Sequence, residues 1–109
     1  MAEYFYHRES SKKLYKLWKL KPDLLEAFQD FDEKVFAEGA LSTRVKELIA
    51  VAAAHITQCP YCIEAHTKRA KKAGATEEEV AEAIFVAMAL RAGSSFAHSA
   101  VAMEALEEA

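Results

Sequence analysis

Two cysteines stand three positions apart, as Cys59-Pro60-Tyr61-Cys62, and nothing else in the chain is as well suited to covalent chemistry. Pro60 suits the first turn of a helix, so the pair sits at a helix start. Unpaired backbone N–H groups and the positive end of the helix dipole favour a thiolate there. The thiolate, not the thiol, attacks peroxides and disulfides. Two intervening residues let the sulfurs close into a disulfide with a tight ring, and Pro60 limits the backbone conformations available. So short a loop constrains the unfolded chain little, which argues against a structural staple. The pair therefore reads as a dithiol redox centre, although zinc sites use the same spacing.

His66 follows Cys62 by four residues, one helical turn on and on the same face. A neutral imidazole there can take the thiol proton, directly or through a water. The competing reading is a surface histidine beside Lys68 and Arg69. Glu47 opens a run with no further Asp, Glu, Lys or Arg until Glu64. A carboxylate entering a buried helix must be partnered, neutralised or functional. A solvent-facing Glu next to Lys46 is the equal alternative. His55, four residues before Cys59, reads first as a hydrogen-bonded core histidine and second as an auxiliary site residue. Tyr61 lies between the cysteines and is an auxiliary candidate that shapes access to them. His7 and His98 have no recognisable spacing and read as structural or exposed.

These residues need helices to hold them. Ser10–Leu20 places Leu14, Leu17 and Trp18 at helical spacing. Pro22 opens a second helix whose apolar stripe is Leu24, Leu25, Phe28, Phe31, Val35 and Phe36; this stripe reads as core, and Gly39 ends the helix. Ser42 caps a third helix, expected to be buried nearly all round because Leu48–Ile56 carries no charge. Thr57 and Gln58 close it. A fourth helix runs from Pro60 to about Ala73, with Gly74 at its end. Thr76 and Glu79 form a capping-box pattern for a fifth, from about Glu77 to Leu90. Gly93-Ser94-Ser95 predicts a break or kink, followed by a sixth helix from about Ser95 to Glu107. No useful stretch alternates with strand periodicity. The expectation is an all-α, compact single domain of about six helices.

The bulk numbers agree. At 109 residues the chain suits one domain. Net charge is −3 with both signs interspersed, so no basic patch points to nucleic acid. Hydrophobic content is 52%, much of it alanine, which favours close helix contacts. No window reaches the roughly 18 apolar residues of a membrane span. Met1–Ser11 is polar and lacks an apolar signal core, which gives a cytoplasmic, non-membrane expectation.

Together, Glu47, then Cys59-Pro60-Tyr61-Cys62, then His66 resemble the alkylhydroperoxidase D-like branch of the carboxymuconolactone decarboxylase superfamily. The flanks are similar too: Leu41-Ser42-Thr43-Arg44-Val45-Lys46-Glu47 before, and Ala73-Gly74-Ala75-Thr76 after. The resemblance spans about residues 22–107, within one domain over residues 1–109. It implies an all-helical protein that assembles into homotrimers or homohexamers. It further implies a thiol-dependent peroxidase without metal or cofactor: Cys62 peroxidatic, Cys59 resolving, His66 and Glu47 relaying protons. The implied partners are a hydroperoxide substrate and a dithiol or lipoyl-type reductant. Some members carry a histidine between the cysteines where this chain has Tyr61. Members that decarboxylate lactones do not depend on a cysteine pair.

Two other functions fit the same residues. One is a disulfide reductase or thiol redox sensor with little peroxidase turnover. The other is a zinc-binding structural module using Cys59, Cys62, His66 and His55, although no second cysteine pair accompanies them. Phe96, Val101, Met103 and Leu106 give the last helix an apolar face that either completes the monomer core or contacts another copy.

Overall fold

The computed structural model of the chain describes residues 8–109, all helices and connections with no strand among them. His7 lies outside the described residues. A 3-10 turn, Arg8–Lys13, runs into α1 (Leu14–Leu20). Then come α2 (Pro22–Phe36), α3 (Thr43–Thr57), α4 (Pro60–Lys72) and α5 (Glu77–Glu108). The all-α expectation holds, with five α-helices in place of six.

The helix ends follow local chemistry. Ser42 accepts the Val45 N–H at 3.1 Å and starts α3. Gln58, at φ 59°, closes α3 in the left-handed region. Gly74, at φ 98°, makes the turn after α4, where a side chain would be strained. Thr76 and Glu79 form the expected reciprocal capping box. Two boundaries differ from expectation. Helix α2 stops at Phe36, before Gly39, because side chains from α3 take its last carbonyls: Thr43 Oγ1 donates to the Phe36 carbonyl and Lys46 Nζ to that of Ala37, both at 2.7 Å. Helix α5 runs straight through Gly93-Ser94-Ser95. Ser95 and Ser99 turn their hydroxyls back onto the carbonyls of Arg91 and Phe96, so the serines fit the helix instead of breaking it. A single glycine in a helix costs about 1 kcal/mol, too little to end it.

Helix α3 is the centre of the fold, packing on α4 along one side and on α5 along another. Val51, Ala70 and Ala75 form the core, with Leu48, Val80 and Ile84 against it. Small residues at Ala54, Ala70 and Ala87 are buried and let the helices approach closely. The expectation that α3 is buried nearly all round is corrected: Ile49 and Ile56 face outward, because only α4 and α5 pack on it extensively. The α2 stripe is corrected as well. Leu24, Phe28, Phe31 and Val35 are exposed, since the main neighbour of α2 is the short α1 and it packs only sparsely on α3. Every residue of α5 after Ala87 is exposed too. The radius of gyration is 18.2 Å, against roughly 13 Å for a globule of this length.

Candidate functional site

The site lies at the junction of α3 and α4. Cys59 is the N-cap of α4, held there by its own N–H donating to the Ala54 carbonyl at 3.2 Å. Pro60 occupies the first helical position and Cys62 lies in the first turn. The two sulfurs are 2.6 Å apart and share a hydrogen bond. The Cys62 backbone N–H also donates to Cys59 Sγ, at 3.3 Å. Both thiols are free and half-buried. A disulfide bond is about 2.05 Å long, so closure needs little movement.

The electrostatics of the pair are unequal. The Cys62 thiol hydrogen bond holds the Cys59 thiol below its ordinary pKa, aided by the backbone N–H groups of Cys62 and Tyr61 and opposed by burial. The same hydrogen bond, burial and the nearby Cys59 charge push Cys62 up to about 11. Cys59 is therefore the more acidic thiol of the pair, first through the bond between the sulfurs and then through the backbone N–H groups at the helix mouth.

One turn further along α4, His66 meets Glu47 of α3. His66 Nδ1 and Glu47 Oε1 are 2.7 Å apart. Glu47 is 3% exposed, the one buried charged residue among those described. Of its two readings the structure selects the buried one. With the carboxylate accepting, Nδ1 carries the hydrogen and Nε2 is left as the basic nitrogen. The Phe36 ring stacks on the imidazole, with centroids 5.1 Å apart and planes 22° from parallel. Sequence reading placed Phe36 in an apolar stripe and missed this role; its position at the C-terminal end of α2, against α4, becomes visible only in three dimensions.

The remaining candidates separate. His55 Nδ1 donates to the Val51 carbonyl of its own helix at 2.7 Å, the behaviour of a hydrogen-bonded core histidine. Tyr61 is half-buried between the cysteines, and its backbone N–H serves Cys59. His98 lies on the exposed part of α5, away from the site. The zinc reading is corrected: among the described residues no three His, Cys, Asp or Glu side chains converge as metal ligands. His66 is turned to Glu47 and His55 to a carbonyl, so neither joins the sulfurs in a tetrahedral set.

One ion pair braces this frame. Arg44 on the first turn of α3 binds Glu79 on the first turn of α5. The Thr76 backbone N–H, then Arg44, hold the Glu79 carboxyl below its ordinary range. Arg91 of α5 donates to the Ile56 carbonyl at 2.9 Å, tying α5 to the end of α3 beside the cysteines.

Known proteins are similar to this chain in sequence and in fold. A protein from Paracoccus denitrificans described as uncharacterized protein 4 in the cox locus is 53% identical over 83 residues, covering 76% of this chain and 75% of its own. An uncharacterized protein from Cupriavidus necator is 38% identical over 88 residues, 79% of this chain and 78% of that one. A crystal structure from Methanobacterium thermoautotrophicum superposes with a TM-score of 0.74 at 39% identity, covering 78% of this chain and 96% of that one. An apo carboxymuconolactone decarboxylase family protein from Legionella pneumophila superposes with a TM-score of 0.73 at 37% identity, over 93% of this chain and 90% of its own. The profile of the carboxymuconolactone decarboxylase family matches residues 22–106, a stretch that begins with α2 and includes both the α3–α4 junction and the long final helix. By sequence profile and by helical fold alike, the chain belongs to the carboxymuconolactone decarboxylase family.

Proposed function

We propose that the chain is a thiol-dependent hydroperoxide reductase. The observation that carries this reading is the sulfur pair, 2.6 Å apart at a helix mouth, one helical turn from a buried Glu47–His66 pair. In the proposed cycle the proton between the sulfurs passes from Cys62 to Cys59. The Cys62 thiolate attacks the distal oxygen of the hydroperoxide and breaks the O–O bond. Cys62 becomes a sulfenic acid, and the departing alkoxide takes a proton relayed through His66, with Glu47 orienting the ring. Cys59 then attacks the Cys62 sulfur and displaces water, leaving the disulfide. The sulfur pair has supplied two electrons and its shared proton, the second proton has come through His66, and the products are one alcohol and one water. An external dithiol, of lipoyl or small redox-protein type, reduces the disulfide by exchange.

The depressed pKa of Cys59 favours a second order in which Cys59 attacks first and Cys62 resolves. Peroxide consumption with a dithiol reductant, measured on wild type, Cys59→Ser and Cys62→Ser, tests both. Loss of turnover in both variants is expected, with a sulfenic acid trapped on Cys62 in Cys59→Ser. Trapping only on Cys59, in Cys62→Ser, reverses the order. Wild-type turnover in either variant refutes the mechanism. Disulfide reduction without peroxide turnover would leave the dithiol-exchange reading.

The proposed working form is a homo-oligomer. By length and composition α5 could cross a membrane, with an 18-residue stretch of mean hydropathy 1.4, which corrects the expectation that no window reaches the apolar length of a span. Arg91 sits near its middle and binds the Ile56 carbonyl, and an arginine at the bilayer centre costs about 2.5–3.5 kcal/mol or more. Contact with other copies, in a cytoplasmic protein, accounts for the exposed apolar face without that penalty.

A further inference from the structure

A groove of about 570 Å³ lies between α1, α2 and α4. Its apolar wall includes Tyr15, Trp18 and Phe28, and its charged groups are Lys12, Asp32 and Arg69. Tyr15 and Trp18 stack with ring centroids 6.2 Å apart and planes 15° from parallel, making a flat surface. Neither Lys12 nor Arg69 is ion-paired to a carboxylate among the described residues. Two cations against one carboxylate leave the groove net positive. Its size is that of a small-molecule site, with apolar and polar residues both in its lining.

The groove is in line with the thiols. Cys62, His66 and Arg69 recur at four and three residues, so they share one face of α4. Seven residues of helix separate Arg69 from Cys62 by about 10 Å. On the opposite wall Asp32 precedes Phe36 by one turn of α2, and Phe36 stacks on His66. The groove and the site are therefore consecutive along the gap between α2 and α4.

The geometry points to this groove as the binding site for the carboxylated end of an amphiphilic organic hydroperoxide. The carboxylate pairs with Arg69 and Lys12, the adjoining methylenes lie on the Tyr15–Trp18–Phe28 wall, and the chain continues past Phe36 to the sulfurs. This substrate class rests on the thiol-peroxidase reading; binding of the anionic end does not. Hydrogen peroxide alone would leave the groove without a role.

Trp18 is the chain's sole tryptophan, so its fluorescence reports occupancy. Titration of the whole protein with decanoate, a redox-inert probe, is expected to give a saturable change, confirmed by calorimetry. Decanol, which lacks the charge, is expected to bind more weakly. In Arg69→Gln, and separately in Lys12→Gln, the preference for decanoate over decanol is expected to fall about tenfold, or 1.4 kcal/mol. No saturable decanoate binding by either method, or an unchanged preference in both variants, overturns the assignment. So does decanoate binding that occurs only as protein copies dissociate, which would assign the groove to a neighbouring copy. Charge-dependent binding in a protein without peroxide turnover would refute the peroxidase alone. Peroxide turnover without such binding would refute the groove alone.

Discussion

The Cys59 sulfur accepts the Cys62 backbone N–H and shares a hydrogen bond with the Cys62 sulfur, and the two thiols are driven apart in acidity as a result. Because Cys59 itself is the first cause of the raised Cys62 value, replacing it with alanine should bring Cys62 from about 11 down toward the ordinary thiol range. Thiolate absorbance against pH measures this, and alkylation of Cys62 at mildly alkaline pH should be faster in Cys59→Ala than in wild type. The reverse replacement, Cys62→Ala, removes the largest cause lowering Cys59, whose titration should move upward. A Cys62 value that stays near its wild-type position in Cys59→Ala would place the cause in burial alone. At this scale the sequence pointed to the residues that the fold brings to the α3–α4 junction: the cysteine pair by spacing, His66 by one helical turn, Glu47 by the uncharged run behind it. It could not show that Glu47 and His66, nineteen positions apart, meet at 2.7 Å. It gave no sign that Phe36 lies over the imidazole, because a contact between helices leaves no period in one helix.

Element boundaries were legible wherever a single residue's chemistry sets them: Ser42, Gln58, Pro60, Gly74 and the Thr76–Glu79 box all act as their side chains or torsions require. They were illegible where another element decides. Helix α2 ends at carbonyls capped from α3, and α5 continues because its serines bond to their own helix. Gly93 needs no left-handed torsion, and a Cβ added there meets nothing within 4 Å. Gly93→Ala should therefore stabilise α5 by about 0.5–1 kcal/mol, read as a higher midpoint in thermal unfolding. A lower midpoint would mean that the helix is interrupted there or that another backbone approaches it closely.

For the whole molecule, the alanine-rich composition explains both the tight α3–α4–α5 contact and the thinness of the core it makes. Val51 is the largest fully buried side chain among the described residues. Bulky residues lie outside that core instead: Phe31 is 64% and Phe96 82% exposed. In the proposed oligomer this apolar surface would lie against other copies. Sedimentation is expected to find an assembly, with no monomer at micromolar concentration; a lone protomer there would refute it. Replacing Phe96 with Glu should shift the equilibrium toward smaller species. Amphipathic periodicity told correctly which face of each helix is apolar. It was silent on whether that face meets its own chain or another's, because the two burials have the same free-energy gradient per unit area.

The capping position of Cys59 links electron transfer to the start of a helix. While reduced, its sulfur accepts the Cys62 amide hydrogen and completes the first turn of α4. Once bridged, the sulfur is neutral and a weaker acceptor, so that turn loses part of its anchorage. Whatever favours the thiolate over the thiol therefore also favours the open dithiol over the closed ring, and a dithiol so favoured makes its disulfide a stronger oxidant. In the proposed cycle, a centre built this way would give up its oxidising equivalents readily to the next dithiol, so that each round of oxidation is followed by prompt resetting.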